Sequence, residues 1–470
     1  MKNMKRAIRF FLFIGICGMA SAAIELPSFF GDNMVFQRQT PVTIWGTADR
    51  NQTLTCQLGP NKDGTATDEN GNWQIRLPAM DAGGPYDLII KTVADQRIIS
   101  GVYIGDVWVF SGQSNMQVSF QYFLDLPNIA DTYKDRFRKT LNDCSQDNLV
   151  RNYMVATKDA KGETIRTRAE NKWIVSNPEE VKDCNPIAYY FAREVSQKTH
   201  VMTAAIRLAW GGQYIERFYQ GADIFEYMIK PWGKFPIKGV IWYQGENNLY
   251  KDGDRLGYAL KLQLLIHDYR TLWDNPKLPF FIVQLPPAKY SSRPFNDEES
   301  LPIFLEAQRQ ALTIPFTAMA NTADLGMANG LHQPQKYDVA VRLANLAFAN
   351  VYGFTDAVAA GPQYKNVVRQ GNKLRVNFET FGSKLVTKDG NPPAFFEILA
   401  AGKNQTFVKA QAEIDGSSVL VWNDGVDDPV DVRFAFREQD LMETNLTNTA
   451  GIPAATFWAG ATNQLHPGCR

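Results

Sequence analysis

Val107-Trp108-Val109-Phe110-Ser111-Gly112-Gln113-Ser114-Asn115-Met116 is the stretch on which the fold turns. Its first four residues form a continuous apolar run, the pattern of a strand buried on both faces, and the polar residues begin where such a strand emerges. A serine in that place is either a nucleophile or part of an ordinary turn that satisfies local backbone groups. The remainder of the chain decides between the two.

Four further apolar runs repeat the form at residues 203–208, 240–243, 279–284 and 318–322. Helical patterns separate them. Asn185 is the cap and Pro186 the first residue of a helix reaching about Thr199, and residues 257–273 repeat apolar side chains at helical spacing. Pro334 opens a last helix that Gly353 closes. Alternating strands and helices over residues 101–355 predict an α/β domain with a mostly parallel sheet and helices on both faces. On either side the pattern is one of short strands and turns, which predicts a β-sandwich at residues 24–100 and a second β-rich region at 360–465. The long polar stretch 125–178 lacks a clear period and reads as an excursion that covers the substrate.

A chain of 470 residues has material for two or three such units. With 45% hydrophobic and 21% charged residues, and 49 basic residues against 49 acidic ones, it is neither a disordered tail nor a nucleic-acid binder. Lys2, Lys5, Arg6 and Arg9 precede an apolar run at 10–17 and the small residues Ala20-Ser21-Ala22-Ala23, the layout of a signal peptide over residues 1–22. That run is shorter than the ~20 residues a spanning helix needs. An exported protein without a membrane span is expected, periplasmic or extracellular. After cleavage four cysteines remain, of which Cys144 and Cys184 are the best candidates for a disulfide, with free buried thiols the alternative. The oligomeric state is left open.

Chemistry enters by position. In open parallel sheets ligands bind beyond the carboxyl ends of the strands. There the chain carries Gly112-Gln113-Ser114-Asn115, then Trp210-Gly211-Gly212-Gln213, then Gln244-Gly245-Glu246-Asn247-Asn248, and finally Asp324 and His332. Ester hydrolysis by a serine needs a base for the hydroxyl proton and donors for the oxyanion. Ser114 is the expected nucleophile. Of four histidines, His200 ends a helix, His267 lies inside one and His466 follows the last strand, which leaves His332 as the base. Backbone N–H groups of Ser114 and Gly212, with Gln244 or an asparagine of the Asn247-Asn248 pair, are the expected oxyanion donors. Glu246 reads as an orienting carboxylate. Trp210 lines either a sugar surface or the core. Neither a phosphate loop nor a metal-spaced cluster is present, and no cofactor is expected.

At these residues the sequence resembles the sialate O-acetylesterase family, a carbohydrate-esterase branch of the SGNH hydrolases. The likeness rests on Gly112-Gln113-Ser114-Asn115-Met116, Trp210-Gly211-Gly212 with Ile215-Glu216, Gln244-Gly245-Glu246 with Asn248, and the segment 324–343. It extends to Asn33-Met34-Val35-Phe36-Gln37-Arg38 and Gly451-Ile452-Pro453-Ala454 in the flanking regions. The resemblance implies an SGNH-type, flavodoxin-like sheet, an acetyl-serine intermediate, and O-acetylated sialic acid or another acetylated glycan as substrate. Acetyl esterases for xylan, and a glycan-binding protein without turnover, are the alternatives. One departure stands out: the family's aspartate before the histidine and proline after it are Gly330 and Gln333 here. A Ser-His dyad, a carboxylate supplied by Asp324, or weakened activity would follow.

Overall fold

The computed structural model describes residues 23–157, 171–250, 255–327, 330–402 and 406–460. The expected signal segment, Cys469 and His466 lie outside them. The central sheet contains β1 (Gln96–Gly112), β2 (Val150–Met154), β3 (Trp173–Val175), β4 (Thr203–Ala209), β5 (Gly239–Tyr243), β6 (Phe280–Val283) and β7 (Thr317–Ala320), in the order β7-β6-β5-β1-β4-β2-β3. All neighbours are parallel except the antiparallel β2 and β3. Without those two, the strands follow the 2-1-3-4-5 order of flavodoxin-like sheets. From β1 the chain moves to one side for β4, then crosses to the other for β5. In open sheets such a switch point is where ligands bind, and Ser114 directly follows the carboxyl end of β1 there.

The helices are α1 (Ser114–Gln117), α2 (Phe120–Asp125), α3 (Asp131–Asp143), α4 (Pro186–Thr199), α5 (Glu246–Tyr250), α6 (Tyr258–Leu272), α7 (Ser300–Gln310) and α8 (Lys336–Ala347). Right-handed crossovers in opposite directions put α4 on one face of the sheet and α6 and α7 on the other. The Asn185 side chain caps α4, as the sequence suggests, accepting from the Ala188 N–H at 3.1 Å, and His200 follows its end in a left-handed conformation. Val107, Trp108, Val109 and Phe110 are wholly buried between the two layers.

The 17 residues of β1 serve two sheets. Their first half pairs with Gly83–Lys91 and Val35–Gln37 of the amino-terminal β region, and their second half with β4 and β5. At the junction the buried Asp106 carboxylate takes a two-pronged contact from Arg38, at 2.9 and 3.0 Å. The carboxy-terminal region holds two four-stranded antiparallel sheets. Its Glu438 accepts from the backbone N–H groups of Ala288, Tyr290 and Ser291, fixing the loop beyond β6.

Two expectations are corrected. The stretch 125–178 is not simply a loop over the site: α3, β2 and β3 lie in it, and β2 and β3 extend the sheet edge. Arg151 and Asn152 hid β2, because both are buried polar residues inside the strand, with Nη1 of the guanidinium donating to the Asn148 and Val150 carbonyls. Residues 158–170 of this stretch are outside the described set. Cys144 and Cys184 are free buried thiols, pointed at the Leu141 and Glu180 carbonyls, rather than a disulfide.

Candidate active site

The end of β1 requires a glycine. Gly112 has φ +135°, and a Cβ on it would lie 2.1 Å from the Tyr243 carbonyl oxygen. The Gln113 N–H continues the pairing to that carbonyl at 3.1 Å before the chain turns into α1. Ser114, half-buried, is the first residue of that turn. Against it sits Gly211: a Cβ there would come within 3.3 Å of the Ser114 Cβ and 2.8 Å of Gln117 Oε1. The Gly211 N–H donates to Gln117 Oε1 at 2.8 Å. The Asn185 cap also donates to the carbonyls of Asn115 and Val118, so the start of α4 holds the serine turn.

His332 is brought to the same turn by its neighbours. Asn115, next after Ser114, donates through Nδ2 to the carbonyl of Leu331, next before His332, at 2.9 Å. Among the described residues no hydrogen bond joins the Ser114 hydroxyl to His332. The Nδ1 side of the imidazole meets the Tyr122 hydroxyl at 2.6 Å. Burial, aided by the nearby Lys336 ammonium, pushes His332 down to about 4, so the ring is neutral at pH 7.

Asp324 is not the partner of that ring. Both its oxygens are held by the Arg342 guanidinium, at 2.7 and 2.6 Å. Gly330 is exposed with φ +138° and open space around it. An aspartate would fit there by volume but would strain the backbone.

The amide donors separate into two kinds. Gln244 is fully buried and its nitrogen gives both hydrogens away, to the Gln213 carbonyl at 3.0 Å and to Asn248 Oδ1 at 2.7 Å, while its oxygen accepts from Tyr258. Both of its hydrogens are thus committed, and of the two sequence alternatives the asparagine pair keeps a hydrogen to offer. Asn248 spends one hydrogen on Glu216 at 3.0 Å, and Glu216 is itself held by Lys261. Its second hydrogen remains. Gly212 is exposed, with its carbonyl held by Asn247. Trp210 is half-buried beneath the Arg217 guanidinium, 4.6 Å from the ring centre.

Beneath the serine lies a buried charge relay that the sequence did not disclose. Asn115 Nδ2 donates to Glu246 Oε1 at 2.6 Å, and the Lys336 ammonium donates to Asn115 Oδ1. All three residues are almost wholly buried. Burial raises the Glu246 carboxyl above its usual range and pushes Lys336 down to about 7, the carboxylate opposing the latter shift. Tyr122 was likewise missed. It is one aromatic among several in a short helix, and only the reversal of the chain at Ser119, whose hydroxyl accepts from the Tyr122 N–H, turns it toward His332.

A flavodoxin-order sheet whose carboxyl edge gathers a serine, a neutral histidine and unspent N–H donors is the arrangement expected of an ester hydrolase. The comparisons agree. Residues 104–348 match the family described as carbohydrate esterase, sialic acid-specific acetylesterase. Sialate O-acetylesterase of Homo sapiens is 23% identical over 437 residues, covering 81% of this chain and 80% of the relative, and that of Mus musculus is 22% identical over 432. The crystal structure of a carbohydrate acetylesterase from Xanthomonas citri superposes with a TM-score of 0.81 at 29% identity, over 93% of this chain and 99% of that one. The chain belongs to the sialic acid-specific acetylesterase family of carbohydrate esterases, and is a carboxylic ester hydrolase acting on acetylated glycans.

Proposed function

We propose that the protein is an exported serine esterase that removes O-acetyl groups from sialic acid through an acetyl-serine intermediate. The observation that carries the serine mechanism is the Asn115 to Leu331 hydrogen bond, which ties the residue after Ser114 to the residue before His332. Family membership supports the substrate, and the charged-then-apolar amino terminus supports export.

In this mechanism His332 Nε2 takes the Ser114 hydroxyl proton as Oγ bonds to the acetyl carbonyl carbon. The oxyanion is met by the Ser114 and Gly212 N–H groups and by the remaining hydrogen of Asn248. Collapse of the tetrahedral intermediate breaks the bond to the sugar oxygen, which receives the proton from Nε2. Water, activated by the same imidazole, then releases acetate and restores the serine. Gln244 and Glu216 hold Asn248 in place throughout.

The test of the substrate is a comparison of initial rates of acetate release from O-acetylated sialic acid and acetylated xylan. Higher kcat/KM on the sialate is expected; a preference for xylan would transfer the protein to the plant-glycan esterases. The pH profile is a second expectation. Only neutral His332 accepts a proton, and its folded value is near 4 where the unperturbed value is about 6.5. Activity is therefore retained as pH falls through 6 and is lost only as pH approaches about 4. An acid limb in kcat/KM near 6.5 would show that the base is not in this environment.

A further inference from the structure

The imidazole of a serine hydrolase needs a group on Nδ1 to fix its tautomer, and among the described residues no carboxylate reaches that atom of His332. The atom that does is the Tyr122 hydroxyl oxygen, at 2.6 Å. Geometry around the pair is built, not accidental. Tyr122 stands on α2, whose start is capped by Ser119, and its ring meets the imidazole edge-on, with centroids 5.3 Å apart at 73°. The charged groups near the imidazole are spoken for: Lys336, from α8, donates to Asn115, and Glu246, from α5, accepts from Asn115. Asp324 is bound to Arg342.

Resting on the serine-esterase reading above, we infer that Tyr122 is a positioning residue which replaces the missing carboxylate, its hydroxyl oxygen accepting the Nδ1–H of His332 in the reactive state. The direction of this hydrogen bond matters. Were the phenol to donate to Nδ1, the imidazole proton would sit on Nε2 and no lone pair would face Ser114. With Nδ1–H donating, Nε2 is free to take the serine proton. As the ring becomes imidazolium, the Nδ1–H bond to the phenol oxygen becomes charge-assisted and strengthens. Nδ1 keeps its proton through both halves of the cycle, and only the Nε2 proton moves, from Ser114 to the sugar oxygen. Burial raises Tyr122 above the ordinary phenol range, so the hydroxyl stays neutral across the working pH. It supplies a dipole and not a charge, a weaker aid to the imidazolium than an aspartate.

The experiment compares wild type, Y122F and S114A by acetate release, with nitrogen NMR of histidine-labelled protein to read the tautomer. The chain has four histidines, so the His332 signals are assigned by one histidine substitution. Y122F keeps the aromatic packing and removes only the oxygen. Expected are an Nδ1–H tautomer for His332 in wild type, a mixture in Y122F, and a fall in kcat of roughly 10- to 100-fold with KM unchanged, the effect of losing one hydrogen bond to a charged ring. Should S114A be inactive while Y122F keeps full kcat and wild type shows the Nδ1–H tautomer, the assignment of Tyr122 is overturned and the serine mechanism stands; an Nε2–H tautomer in wild type overturns both the assignment of Tyr122 and His332 as the base. If S114A is as active as wild type, both fall together.

Discussion

Ser114→Ala is expected to reduce acetate release by at least about 1,000-fold while leaving the fold and substrate binding intact. The size follows from what is removed. Without Oγ no covalent intermediate forms, and only oxyanion donors and a neutral imidazole remain to assist direct attack by water. Stability should be nearly unaffected, because Ser114 is half-buried and the turn that carries it is held by others: the Asn185 cap, the Gln113 to Tyr243 backbone pairing, and the Gln117 contact with Gly211. Rates and urea unfolding measured on the same preparation separate the two effects. Loss of activity accompanied by an equal loss of stability would mean that the serine is structural.

The second large effect concerns stability. Lys336→Met should cost about 3–5 kcal/mol of unfolding free energy, the range for removing one partner of a buried ionic group. Lys336 is wholly buried, donates to Asn115 Oδ1, and lies 5.6 Å from the Phe123 ring centre and 5.4 Å from that of Tyr243. Its loss strands the Asn115 oxygen and leaves the Glu246 carboxylate without its countercharge. Glu246 Oε2 already has no hydrogen-bond partner among the described residues. The double variant Lys336→Met with Glu246→Gln should recover much of the stability, since neutralising both ends removes the uncompensated charge. Activity should not recover in parallel, because Asn115 loses the contact that aligns it between the serine turn and Leu331. A single variant as stable as wild type in urea would show that the relay is not part of what holds the fold.

The sheet was legible because its strands are apolar on both faces and end abruptly in glycine and amide residues. The α4 helix was legible because Asn185-Pro186 is a start signal with a local mechanism. His332 was singled out by elimination, since the chain has only four histidines. What escaped was decided by long-range geometry. The polar residues Arg151 and Asn152 of β2 are buried because the strand lies between β4 and β3, pairings that no local pattern discloses. Gln244 looks like a free donor in sequence, yet both its hydrogens are committed to Gln213 and Asn248, a matter of direction rather than identity. Gly330 pointed to a vacancy beside His332, and Asp324 was the carboxylate that the sequence reading offered for it. The fold assigns that carboxylate to Arg342 and brings a phenol from 210 residues upstream.

The acetyl-serine intermediate is the central claim, and a direct measurement exists for it. The enzyme is mixed with an activated acetate ester, quenched in acid during the first turnover, and digested for peptide mass analysis. One acetyl group on the peptide bearing Ser114, matched by a burst of one alcohol per enzyme and absent from the alanine variant, is the result predicted here. Turnover without acetylation of Ser114, or acetylation at another residue, would contradict it.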